Sequence, residues 1–422
     1  MVGEHGGAAF VVLYVIATLV VSLPVFMAEV IIGRRSHCGA YGAMSRLKPD
    51  TRIWKFAGLL SVMVPLLINS YYSVIGGWSM DFLFRACAGC FSDASPESVT
   101  GIFGKMVSHP WEPLAMHLLF LAACTSVVAL GVRTGIEKFS KFSIPLLFVM
   151  VIVIIVYSTT LPGASRGVAY ILEPDFRRID IKSFTYALGQ SFYSLSLGMG
   201  AIITYGSYVS KEEDIVASSA GTALFDLMFA VLAGLAVMPA VFSAGLEPAA
   251  GPGLIFQTLP YIFSNMAEQM PVASVVVSLI FFLTIVIAAM TSCMSLVEVG
   301  TSFFNERFGI SRRKSCFLIF LLCGGLGVLC SLSFGPLSGI RLLDKNIFDI
   351  LDWFCSNVML LFLSFMFVVF VGFVMKKEDV REELTNGGQK KMNSRLFGLI
   401  YFLIKWLAPV AIALIFVINF II

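Results

Sequence analysis

The sequence predicts an all-α polytopic membrane protein, and three observations carry that class. Of 422 residues 58% are hydrophobic and 13% charged, with a mean hydropathy of +0.91; a soluble domain needs far more polar surface to cover itself. The apolar residues fall in runs long enough to cross ~30 Å of hydrocarbon, roughly 20 residues each as a helix. The basic residues collect in short loops between those runs. That distribution, with a net charge of only +3, is unlike the basic, aromatic-interleaved patches that hold nucleic acid.

Taken in order, the apolar runs are 8–33, 54–84, 112–131, 139–160, 183–210, 214–243, 272–304, 315–332, 346–375 and 396–420, ten transmembrane helices in all. Several exceed the length required, so they are expected to tilt or to project beyond the bilayer. The nine cysteines lie mostly inside these runs and read as small buried hydrophobes. Cys87 and Cys90 sit in a loop, where a local disulfide is an alternative that spacing alone does not decide. His5, His37, His109 and His117 show no metal-ligand spacing.

Loop charges orient the chain. The loops after the first, third, fifth, seventh and ninth runs hold 20 Lys and Arg residues and the opposite loops 8, which puts the first set in the cytoplasm. Met1 then lies outside on a tail, MVGEHGGAAF, that reads as a loop entering a helix. The expectation is an upstream span that delivers this tail to the outer face; the alternative is a ten-helix protein with both ends outside.

The run at 183–210 does not read as an ordinary spanning helix. Its centre, Ser194-Leu195-Ser196-Leu197-Gly198-Met199-Gly200, sets two hydroxyls and two glycines where every backbone group needs an internal partner. Broken helices of this kind expose carbonyls to cations and half-helix N-termini to anionic groups in secondary transporters. A small-residue contact between intact helices is the other reading, and both are open at this point.

GEHGGAAF followed by PVFMAEVIIGRR, the pair ALGQSFYSLSLGMGAIITYGSYV and AAMTSCMSLVEV, and EPAAGPGLIFQTLP together resemble the neurotransmitter:sodium symporter family, in its bacterial amino-acid-transporter branch. The likeness spans the chain; the broken-helix motif and GLIFQTLP are its specific parts. It implies the leucine-transporter fold of two inverted five-helix repeats. The ten runs would then be family helices two to eleven. Residues 1–160 would be the remainder of the first repeat, 183–375 the second, and 396–420 an additional helix in a single 1–422 transporter domain. The family's first helix, itself broken, has no counterpart after Met1. An open reading frame that continues upstream by roughly one span is expected, with a natural truncation as the alternative.

Sodium takes about five or six hard oxygen ligands, and hydroxyls, amides and carbonyls suit it. In the family an AxxTS pattern forms the second sodium site, which implies Ala288, Thr291 and Ser292 here; without the resemblance, these hydroxyls would bond back to their own helix. Ser194 matches a hydroxyl ligand of the first sodium site, and its partner, an asparagine or acid, is Asp226. An aspartate within GTALFDLMFAVLAG costs about 2.5 to 3.5 kcal/mol on insertion scales and requires a cation or donors. Animal members hold a chloride beside this site with groups that correspond to Tyr14, Gln190 and Ser194. Asp226 would supply that charge covalently, so sodium is the expected co-transported ion and chloride is not expected to be required. Ala230 stands where some bacterial members carry an acid.

For substrate, the resemblance gives Tyr72 as the hydroxyl that meets a carboxylate and Ile68, Tyr193, Ser196, Met199 and Leu296 as pocket walls. Tyr71 and Tyr72 are alternatively an aromatic packing pair. A cleft at the bilayer midplane lined by Tyr72, Ser194, Ser196, Asp226 and Thr291 is expected. Glu29 matches a glutamate that accepts bonds from the free amides of the broken helices. Tyr208 joins it among the gate and support residues, and Asp352 and Glu306 match the outer and inner gate acids or, read alone, interfacial helix-end acids. Glu298 has no assigned role. The expected function is sodium-coupled uptake of an amino acid or close analogue by alternating access, without covalent chemistry, in the bacterial inner (plasma) membrane. The competing class is a non-transporting membrane protein that keeps the fold.

Overall fold

The computed structural model describes every residue except Met1, Glu4, 92–95, 246–252, Gln269 and Ile422. Among the described residues the chain is helical, with one isolated bridge, Leu342 to Lys345, in place of any strand. Nine continuous helices are long and apolar enough to cross a membrane: α1 (Ala8–Ser36), α2 (Arg52–Cys87), α3 (Glu112–Ala129), α4 (Val132–Thr160), α7 (Ile215–Ser243), α8 (Pro271–Phe308), α9 (Arg312–Leu332), α10 (Ile347–Val374) and α11 (Ser394–Asn419). The tenth expected span is two short helices, α5 (Ile181–Ser194) and α6 (Ala201–Gly206). Helix α8 has 38 residues, ~57 Å at 1.5 Å per residue, so it outruns the hydrocarbon as its sequence implied.

Helix α2 runs through the centre, packed on α8, α3 and α9. Its buried Trp78 and Phe82 anchor an aromatic cluster that includes Phe103, Phe256 and Phe282. The outward faces are apolar as well: Val149, Ile152 and Val156 on α4, and Phe402, Trp406 and Val410 on α11, are all exposed. This is the pattern of a lipid-facing surface. Wide π turns interrupt α1 at Thr18–Ser22 and α10 at Cys355–Met359, open α4 at Val132–Glu137, close α10 at Phe370–Val374, and interrupt α11 at Leu403–Leu407. The last two abut, because a Cβ built on Gly372 would lie 2.9 Å from Lys405 Cα.

A short helix, Lys377–Leu384, closes the basic face of the bundle. Arg34, buried at the end of α1, donates from Nε to Glu383 Oε2 at 2.7 Å and from Nη1 to the Glu213 carbonyl at 2.7 Å. Arg35 pairs with Asp379 at 2.6 Å and Glu382 at 2.9 Å. Cys87 and Cys90 are free thiols, so the disulfide alternative is not realised. The 247–252 part of EPAAGPGLIFQTLP, and Glu4 of GEHGGAAF, lie outside the described residues.

Candidate functional site

Helix α5 stops where its sequence turns to Ser and Gly. Ser196, Gly198 and Gly200 have φ of 55°, 74° and 68°. This left-handed backbone suits glycine and costs other residues about 1–2 kcal/mol. The N–H of Leu197 turns back to the Phe192 carbonyl at 2.9 Å, while that of Gly198 leaves the helix and donates to Glu29 Oε1 at 2.8 Å. Glu29, on α1, is fully buried. The glycines are also contact points: a Cβ on Gly198 would lie 2.3 Å from the Leu360 carbonyl, and one on Gly200 2.5 Å from that of Ser61. The helix is broken, and the glycines of the break also admit neighbouring backbone.

Asp226 on α7 meets the end of α5. Its Oδ1 accepts from Ser194 Oγ at 2.5 Å and its Oδ2 from Tyr14 at 2.6 Å, lengths typical of hydroxyls bonded to a charged carboxylate. Two donors thus compensate an acid that its helix could not otherwise carry through hydrocarbon. Nearby, Ser22 and Ser191 bond across α1 and α5 at 2.6 Å.

Three cavities meet at Ser194. One of about 300 Å³ is lined by Ile68, Tyr72, Gln190, Tyr193, Ser194, Ser196, Met199, Asp226, Ser292 and Leu296. It contains the six residues expected to wall the substrate pocket and all of the expected cleft lining except Thr291, drawn from α2, α5, the break, α7 and α8. A second, about 510 Å³, runs from Ser194 and Asp226 along α6 to Glu213, on the face the loop charges make cytoplasmic. A third, about 320 Å³, brings Tyr14, Gln190 and Ala230 to the same serine. The neighbouring tyrosines divide: Tyr71 packs edge-on to Phe348 with centroids 5.6 Å apart, and Tyr72 faces the pocket.

The expectation for Thr291 needs correction. Its hydroxyl donates to the Ala288 carbonyl at 2.7 Å, and the cavity is lined by Ser292 instead. Ser292 reaches the same carbonyl at 3.4 Å. The Ala288 oxygen is thus covered by its own helix, the habit of Ser and Thr inside membrane helices.

The two gate acids lie apart. Both oxygens of Glu306 accept the Gly39 N–H, at 2.9 and 3.0 Å, at the start of the helix Ala40–Leu47, and Ser302 donates to it at 2.8 Å. Negative charge is favourable at that helix end. Asp352 accepts from Ser356 at 3.3 Å and lines a cavity of about 280 Å³ with Gln190 and Tyr193. Sequence reasoning missed what Glu298 does. It is buried, accepts from Tyr208 at 2.9 Å, and is gripped by both terminal nitrogens of Arg312, one at 3.1 Å, while Arg312 Nε donates to the Val128 carbonyl at 2.7 Å. An acid so deep in a span requires such a partner, and that requirement was the available signal.

Known proteins share this arrangement across nearly the whole chain. The sequence model of the Sodium:neurotransmitter symporter family matches residues 1–94 and 104–422. The uncharacterized sodium-dependent transporter YhdH of Bacillus subtilis (strain 168) is 34% identical over 98% of this chain and 90% of its own length. An uncharacterized sodium-dependent transporter of Haemophilus influenzae is 32% identical over 99% and 92%. The crystal structure of MhsT in complex with L-phenylalanine superposes with a TM-score of 0.89 at 37% identity, over 98% of this chain and 92% of that one. With a broken helix facing a buried acid, and relatives of this extent, the chain belongs to the sodium:neurotransmitter symporter family and is an integral membrane protein of the sodium-coupled transporter class.

Proposed function

We propose that the protein carries an amino acid, or a close analogue, across the bacterial inner membrane together with sodium, by alternating access of two inverted repeats, the remainder of the first at 1–160 and the second at 183–375. The observation that carries the reading is Asp226, held by Ser194 and Tyr14 at the break beside the 300 Å³ pocket. Ser194 and Asp226 offer hard oxygens to one sodium; Ala288, Thr291 and Ser292 offer them to a second once the two hydroxyls turn from their own helix. Ile68, Tyr72, Tyr193, Ser196, Met199 and Leu296 enclose the substrate, with the Tyr72 hydroxyl toward its carboxylate. The similar protein MhsT, solved with L-phenylalanine, supports an amino acid as the cargo.

In this reading the Asp226 carboxylate fills the electrostatic role of a chloride beside Tyr14, Gln190 and Ser194, so transport needs sodium and not chloride. Asp226→Asn deletes the charge while keeping size and one oxygen. Uptake by the full-length variant in gluconate buffer should be low and should recover partly when chloride is added. No rescue by chloride, or wild-type uptake that collapses without it, would reject the assignment.

The second site has its own test. Thr291→Ala with Ser292→Ala removes two hard ligands from one cation, so the sodium concentration for half-maximal uptake should rise severalfold at unchanged surface expression. An unaltered sodium dependence would leave these hydroxyls as helix-bonding groups only.

A further inference from the structure

Lys405 lies well inside the predicted span 396–420, away from either end, where an ammonium is costly. Among the described residues it has no ion pair. Its Nζ stands instead 4.9 Å from the ring centre of Phe373, 5.6 Å from that of Tyr401 and 5.9 Å from that of Trp406. Two further cations continue the row. Lys377 Nζ lies 5.6 Å from the same Tyr401 ring and 5.9 Å from Phe397, and the Arg381 guanidinium lies 5.4 Å from Phe397.

The short helix that supplies Lys377 and Arg381 is divided by charge. Asp379, Glu382 and Glu383 turn toward Arg34 and Arg35 and are neutralised there. Lys377 and Arg381, one turn apart, face α11 and are exposed. Glu378 is the one acid of this helix outside the clamp among the described residues. The bundle thus neutralises three of the four acids of the helix, and leaves Lys377 and Arg381 on the aromatic surface with Glu378, the remaining acid, near Tyr401.

That surface continues into an apolar strip. Leu399, Phe402, Trp406, Val410, Leu414 and Val417 are exposed along α11, and Phe373 stands edge-on to Trp406 with centroids 5.3 Å apart. Aromatic rings with Lys beside them are what the headgroup level of a bilayer selects, with the ammonium reaching toward the polar layer. The 376–395 loop is on the side the Lys and Arg count makes cytoplasmic.

We infer that Lys377, Arg381 and Lys405 form a binding site for the phosphate headgroup of an anionic phospholipid of the cytoplasmic leaflet, whose acyl chains lie on the Leu399–Val417 strip. A free phosphate would use the cations and gain nothing from the strip; a zwitterionic lipid would use the strip and carry its own ammonium against the cations. An anionic phospholipid uses both. Each basic side chain near a membrane surface favours anionic lipid by about fivefold, so three in one row give a preference that survives extraction.

The test is native mass spectrometry of the full-length protein released from nanodiscs of equal phosphatidylglycerol and phosphatidylcholine. Wild type should retain phosphatidylglycerol in excess. Lys405→Gln should lower that excess about fivefold, and Lys377→Gln, Arg381→Gln and Lys405→Gln together should abolish it. Lys405→Arg, which keeps the charge and the ring contacts, should retain it. Neutralising Arg307, Arg313 and Lys314 on the same face should leave it intact. Undiminished phosphatidylglycerol in the triple variant, an equal loss in the Arg307, Arg313 and Lys314 control, or displacement by millimolar inorganic phosphate would overturn the proposal. The last outcome would mark a free-anion site instead. A triple variant that elutes as aggregate is replaced by Lys377→Gln with Arg381→Gln, both on the exposed side of the short helix, for which a loss of roughly 25-fold is expected.

Discussion

Alanine at Gly198 is expected to abolish transport through the addition of a single methyl group. The added Cβ would lie 2.3 Å from the Leu360 carbonyl oxygen and 2.8 Å from Ser364 Oγ, and the backbone sits at a φ of 74°. The left-handed conformation costs alanine about 1–2 kcal/mol, and the overpacking adds about 1–3 kcal/mol because the obstacle is the backbone of α10. Relief requires moving the break, which also withdraws the Gly198 N–H from Glu29 and leaves that buried carboxyl oxygen without its donor. Uptake by the full-length variant should fall at least 100-fold, and its apparent thermal midpoint in detergent should drop by several degrees. Gly221→Ala is the matched control: it lies in α7 with nothing within 4 Å of the added carbon, so both readouts should stay near wild type. Equal behaviour of the two variants would show that the break tolerates a side chain.

Arg34→Met should cause the largest loss of stability. The guanidinium is 1% exposed and satisfies Glu383 Oε2, the Glu213 carbonyl and the Glu383 carbonyl together. Removing one partner of a buried ion pair costs about 3–5 kcal/mol, since the other charge stays desolvated. Arg35 still reaches Glu383 Oε1 at 3.2 Å, which places the expected loss at the lower end, about 3 kcal/mol. Glu383→Leu added to Arg34→Met should restore much of it, because no unpaired charge remains. Denaturant titration of the single and double variants gives the coupling directly; strictly additive losses would mean the pair does not act as one unit.

How legible all this was depended on the range of the interaction. The broken helix could be read locally, because hydroxyls and glycines at the centre of a membrane-length run conflict with helical bonding whatever surrounds them. Asp226 was legible for a similar reason, as a charge whose cost demands a partner. Its two partners came by different routes: Ser194 lies on the motif itself, whereas the Tyr14 hydroxyl, from a helix 212 positions away, was placed beside Asp226 only by the family resemblance. Arg34 and Glu383 are 349 positions apart, and each looks like an ordinary loop charge until the fold joins them. The Thr291 rotamer was not legible, since a hydroxyl in a helix can serve a cavity or its own backbone and the sequence is the same for both.

The wide turns carry a consequence for how this chain can change. A helix advances about 100° per residue, and a π turn accommodates one residue more than the regular winding does. Helices α1 and α11 are therefore each two screws of equal pitch separated by a jump in phase. In α11 the jump falls at Leu403–Leu407, so the lipid-facing side after it belongs to a different angular register from the side before it. A one-residue deletion there would close the wide turn and leave Val410, Leu414 and Val417 on the face they now occupy, whereas the same deletion in a regularly wound stretch would swing every later side chain by about 100°. A single-residue deletion thus acts as a rotation in regularly wound stretches and is absorbed at a wide turn, which marks where each of these helices can lose a residue without turning the rest of itself.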